Sequence, residues 1–232
     1  MLKKFNQYYL LALVVLSILI FLAETTIAQA QISNSQVILT WQANNFYPAN
    51  YQGKALATPN SPVSVTAEVV KNSNLLDLSQ ANFTWYVNEK FLTSGRGVKE
   101  IVFPVKKLGG DDYFIRVKIE LRNEQFETSI HIPIASQTIV LESPYPKQRV
   151  PAQNRIALEA VPYFFNVPSI KDLTFSWRVN SKDLSGDNNS RLTLNIATPF
   201  TEDQRTIRIT NSVQNRLNPL EFARTNLNLI VD

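Results

Sequence analysis

Phe83-Thr-Trp85-Tyr-Val-Asn88 and Phe175-Ser-Trp177-Arg-Val-Asn180 are one strand written twice. Phe, Trp and Val fall on alternate positions in both, which is the period of a strand with one buried face. Working outward, the same alternation marks Val63-Ser-Val-Thr-Ala67-Glu-Val69, Phe114-Ile-Arg-Val117-Lys-Ile119-Glu and Ser129-Ile130-His-Ile132-Pro-Ile134. After residue 31 no segment sustains a long helical period, although one turn of helix is expected around Leu75–Leu78.

The second half repeats the first in order. Ser35-Gln-Val-Ile-Leu-Thr40 answers Ser136-Gln-Thr-Ile-Val-Leu141, Ala67 answers Ala160, and Tyr113-Phe-Ile-Arg-Val117 answers Arg205-Thr-Ile-Arg-Ile209. Gln125-Phe126-Glu-Thr128 answers Glu221-Phe222-Ala-Arg-Thr225. A near-constant offset in unbroken order argues duplication of a whole domain. The fold class expected is all-β: two tandem sandwiches over 31–135 and 136–232, behind a targeting segment over 1–30. The junction near Ile134–Gln137 has no Gly/Ser spacer, so a stiff pair is expected. Pro144-Tyr-Pro146 and Pro162-Tyr-Phe-Phe165 are candidates to line it.

Trp85 and Trp177 stand where immunoglobulin-like domains bury a tryptophan between their sheets. Ala67 and Ala160 take the place of the first cysteine of disulfide-bonded relatives and leave room for the indole. Asp111-Asp112-Tyr113-Phe-Ile115 is similar to the tyrosine corner, with Ile115 in the place of a cysteine; the second copy has Arg205 instead of the tyrosine. With Tyr51-Gln-Gly-Lys-Ala55, Phe83-Thr-Trp85, Phe165 and Phe175-Ser-Trp177, the chain resembles exported bacterial proteins with tandem immunoglobulin-like or PKD-like sandwiches. The PKD hallmark Trp-Asp-Phe-Gly-Asp-Gly is replaced by Trp85-Tyr-Val-Asn-Glu89. The resemblance implies fold and surface exposure and carries no binding residues.

The N-terminus begins Met1-Leu-Lys-Lys4, continues as an apolar run from Leu10 to Ala23, and ends at Ala28-Gln29-Ala30. This is the order of a secretory signal peptide cleaved after Ala30. The rival is an uncleaved anchor helix, for which the run is short and closed by Glu24. Either reading places the remainder outside the cytoplasmic membrane, secreted or at the cell surface. The chain has no cysteine, which rules out disulfides, thiolate metal sites and cysteine nucleophiles. Exported proteins without disulfides are more usual in bacteria.

Net charge is +4, with acids interrupting the bases along the whole length, which argues against nucleic acid as a partner. His131 is the single histidine and sits between two inward isoleucines, so it reads as an exposed strand residue rather than a catalytic base. Asp111-Asp112 and Glu202-Asp203 have oxygen ligands for calcium, but read first as solvated turn residues; no cofactor is expected. Gly95-Arg-Gly97 and Gly109-Gly110 read as hairpin turns, and no phosphate-binding glycine loop is present. Asn82 and Asn188 begin glycosylation sequons, a chance match in a bacterial protein.

The densest unusual stretch is Trp41-Gln-Ala-Asn-Asn-Phe46-Tyr47-Pro-Ala-Asn-Tyr51. Trp41, Phe46, Tyr47 and Tyr51 are candidate contacts to a partner protein or a surface glycan. The competing reading is a crossing between sheets whose rings fill one end of a sandwich. Trp85, Trp177, Ala67, Ala160 and Tyr113 are assigned to the cores. The function expected is non-enzymatic binding, adhesion or scaffolding outside the membrane. The alternatives are an anchored accessory part of an envelope machine and a carbohydrate-binding protein.

Overall fold

The structure, a computed structural model, describes residues 35–184, 189–199, 201 and 205–232. The expected signal segment, Asn188 and Glu202-Asp203 lie outside the described residues. Within them the first sandwich contains β1 (Ser35–Ala43), β2 (Pro62–Lys71), β3 (Asn74–Leu75), β4 (Asn82–Val87), β5 (Lys90–Arg96), β6 (Glu100–Pro104), β7 (Asp112–Leu121) and β8 (Glu124–Pro133). The second contains β9 (Thr138–Glu142), β10 (Arg149–Val150), β11 (Arg155–Tyr163), β12 (Leu173–Val179), β13 (Lys182–Asp183), β14 (Arg191–Asn195), β15 (Thr206–Asn215) and β16 (Phe222–Val231).

Each sandwich has the same two layers. In the first, β2 joins β1, β3 and β6 in one sheet, and the other runs β5-β4-β7-β8. In the second, β14-β11-β9 faces β10-β16-β15-β12-β13. The strand after the tryptophan strand, β5 or β13, pairs with it. In a constant-type immunoglobulin domain the fourth strand lies in the opposite sheet. Both copies also hand the first strand across: Ala57 bridges Ile134 in parallel, and β10 pairs β16 in parallel. The aromatic stretch is therefore a sheet-to-sheet crossing. It takes residues 44–56 in the first copy, whereas residues 143–148 suffice in the second.

Separate clusters of buried side chains fill the two sandwiches. Phe83, Trp85, Ile115, Ile119 and Ile132 anchor the first, and Trp177, Ile156, Leu158, Leu192, Ile209 and Leu229 the second. Trp85 and Trp177 are fully enclosed, with Ala67 and Ala160 buried beside them. Trp85 Nε1 donates to Val98 O and Trp177 Nε1 to Asn189 O, both at 2.8 Å. The next carbonyls, of Lys99 and Ser190, accept from Ala67 N and Ala160 N. The backbone N–H of Lys106 donates to Tyr113 Oη at 2.9 Å, while the Tyr113 ring is buried.

Some local expectations are corrected. Leu75–Leu78 is not helical: Asn72 and Ser73 both have positive φ and turn the chain back, so Leu75 pairs with Val70 and Leu76 N finds Val69 O. Gly95 and Arg96 belong to β5 and form no hairpin turn. Gly97 (φ +70°) starts the passage to β6 in the opposite sheet, a left-handed backbone that suits glycine. Pro144-Tyr-Pro146 makes the second copy's crossing, with Tyr145 against the second core, whereas Pro162–Phe165 does lie at the junction.

Candidate functional site

Residues 44–61 of the first sandwich meet residues 163–168 of the second. Phe46 N–H donates to Phe165 O at 2.7 Å and Phe164 N–H to Phe46 O at 2.6 Å, a two-residue antiparallel bridge across the junction. Thr58 Oγ1 donates to Phe164 O at 2.9 Å, and Asn166 Nδ2 to Pro59 O at 2.8 Å. Phe164 has φ +65°, a left-handed conformation that costs a bulky residue about 1–2 kcal/mol. The bonds at its N–H and C=O hold it there.

The four candidate aromatics are sorted by this packing. Trp41 is half-buried against the first core, and Lys54 Nζ stands 3.7 Å from its ring centroid. Partial burial lowers the Lys54 ammonium below its ordinary pKa. Phe46 is half-buried against the second core. Tyr51 packs edge-on against Tyr163 and Phe164, at 5.5 and 5.7 Å between centroids. Tyr47 leans on Tyr51 and keeps 42% of its surface exposed. It is the one ring of the four presented to solvent.

His131 is exposed; its Nδ1 lies 2.6 Å from Asp112 Oδ2 and its ring packs on Phe114. Among the described residues no group of three His, Asp or Glu side chains is placed to hold a metal ion, and no helix is long and apolar enough to cross a membrane.

A second surface escaped the sequence reading. The β15–β16 turn is Arg216-Leu-Asn-Pro-Leu-Glu221, and it leaves Leu217, Leu220 and the adjoining Phe222 exposed at 83, 89 and 63%. Its backbone is held from inside. Asn215 Oδ1 accepts from Leu217 N at 2.9 Å, Asn215 N donates to Glu221 O at 2.9 Å, and Gln214 Nε2 donates to Pro219 O at 2.7 Å. The buried Glu221 carboxylate accepts from Asn215 Nδ2 at 2.7 Å, Asn166 N at 2.6 Å and Gln137 Nε2 at 3.0 Å. The polar side chains face inward and the leucines outward, a fixed arrangement that lowers the ordering cost of a contact. The available signal was a turn carrying two leucines and a closing acid, with a phenylalanine directly after it.

With this geometry the chain is a tandem immunoglobulin-like β-sandwich protein. It matches no protein-family profile, and no curated protein matches it in sequence. Among solved structures it is similar to the three N-terminal domains of the bacteriophage RB49 Highly Immunogenic Outer Capsid protein, at 14% identity and a TM-score of 0.46. That match covers 85% of this chain and 59% of the other, so the chain spans less than two thirds of that relative. The fibronectin(III)-like modules of Clostridium thermocellum CbhA match at 8% identity and 0.30, covering 84% and 94%. Murine CEACAM1b matches at 13% and 0.29, covering 84% and 100%.

Proposed function

We propose that the chain is a non-enzymatic binding protein working outside the cytoplasmic membrane as an adhesion or scaffold module. Its protein partner docks on the β15–β16 tip. The observation that carries this reading is the pair Leu217 and Leu220, held almost fully in water by a rigid polar scaffold. Apolar groups fixed outward on a preorganised loop are typical contact anchors. The apolar run and Ala28-Gln29-Ala30 in the first thirty residues support export.

The test is binding of fluorescently labelled protein to intact cells of the source organism. Leu217→Ser/Leu220→Ser is expected to weaken binding about tenfold or more while leaving the melting temperature within a few degrees. Equal binding by the variant and the parent would overturn the reading. The second version is an accessory part of an envelope machine held by an uncleaved helix, for which the run Leu10–Ala23 is the candidate segment. Fractionation separates the two: release into the medium supports the first, retention in the membrane pellet the second.

A further inference from the structure

A groove of about 630 Å³ opens beside the junction, within the roughly 300–1,000 Å³ typical of small-ligand sites. Its floor is the outer face of the sheet containing β1, β2 and β6, where Gln42 is exposed and Ser64 stands directly opposite Val102. One wall carries Asn44 and the exposed ring of Tyr47; the other is the second sandwich, through Pro168. None of the residues lining it is charged.

We propose that this groove binds a neutral oligosaccharide. Three features point to that chemistry together. Carboxamides and a hydroxyl supply both donors and acceptors, which suits ligands whose hydroxyls do both. The part-exposed Tyr47 ring and Pro168 offer apolar surface for the C–H face of a sugar ring. The lack of any charged side chain gives no preference for an acidic or basic ligand.

The walls are also fixed before binding. Asn44 N donates to Pro62 O at 2.8 Å, Asn45 Nδ2 to Leu56 O at 2.7 Å, and Phe46 is bonded across the junction to Phe165. The site needs both sandwiches, so it belongs to the pair and not to either copy. The β15–β16 tip is not part of it, so the two proposals stand or fall separately.

The experiment is calorimetric titration of the protein with cellohexaose, laminarihexaose and mannohexaose, and with a polygalacturonate oligomer as the acidic control. Saturable binding of at least one neutral hexaose is expected. Tyr47→Ala and Gln42→Ala/Asn44→Ala should each weaken it about tenfold, while Tyr47→Phe keeps it. These substitutions are at exposed positions, and matched melting temperatures confirm folding. No heat from any neutral hexaose, preference for the acidic oligomer, or binding unaffected by both variants would overturn the proposal. Cell binding in the Leu217→Ser/Leu220→Ser variant is read separately, so failure of one reading leaves the other identifiable.

Discussion

Trp85 and Trp177 do the same work in two copies. Each indole fills the space beside a buried alanine and donates its N–H across the sandwich to a carbonyl of the connection leading into the opposite sheet. The ring supplies burial, and the hydrogen bond fixes its position between the sheets. Trp85→Phe keeps most of the burial but leaves Val98 O without its donor and the site underfilled. A loss of about 2 kcal/mol is expected, read from the midpoint of a denaturant titration. Trp177→Phe should act likewise on the second sandwich, where Asn189 O loses its donor. Glu221 is the opposite kind of residue, a buried carboxylate whose three donors come from β15, the 163–168 loop and the linker.

The Trp-x-Val-Asn strand makes sense only with its turn. Asn88 and Glu89 have φ of 49 and 61°, and Asn180 and Ser181 have 46 and 69°. Two successive left-handed residues are the signature of the tight hairpin that matches strand twist, and asparagine tolerates it best after glycine. The asparagine side chains then reach the neighbouring strand: Asn88 Oδ1 accepts from Phe114 N at 3.0 Å and Asn180 Oδ1 from Arg208 N at 2.8 Å. Asn180→Val places a β-branched side chain at positive φ and removes that acceptor. It should cost about 2 kcal/mol and speed amide exchange at Arg208, whereas Asn180→Gly should cost about half as much. Equal losses for the two would mean that backbone conformation is not the governing term.

At the scale of the molecule, the first copy's longer crossing binds the two sandwiches together. Residues 44–56 bring Phe46 onto Phe165 and Tyr51 onto Tyr163 and Phe164, and Thr58 and Asn166 add side-chain bonds in both directions. We expect the pair to tumble as one body in solution. Thr58→Val/Asn166→Ala removes two of these bonds with little change of volume at Thr58. It should leave both cores folded while the two halves acquire separate rotational correlation times by backbone ¹⁵N relaxation. Unchanged relaxation would show that the Phe46–Phe165 bridge and the aromatic packing suffice.

The sequence by itself determined the two all-β cores, because alternation is local and a buried tryptophan, its small partner and a duplicated order are all visible along one chain. It also placed His131 at the surface and Pro162–Phe165 at the junction. It left open which of Trp41, Phe46, Tyr47 and Tyr51 would meet solvent, since alternation lapses in the crossing that carries Phe46, Tyr47 and Tyr51, and Phe46 and Tyr51 are covered by neighbours more than a hundred residues away while Trp41, at the end of β1, packs against its own core. It missed the β15–β16 tip, where Glu221 is drawn inward by partners up to 84 residues away while the leucines beside it are turned out. Tertiary structure decided these points, because the donors that satisfy a buried carboxylate, and the ring that covers another ring, are chosen by packing between segments that the sequence does not place side by side.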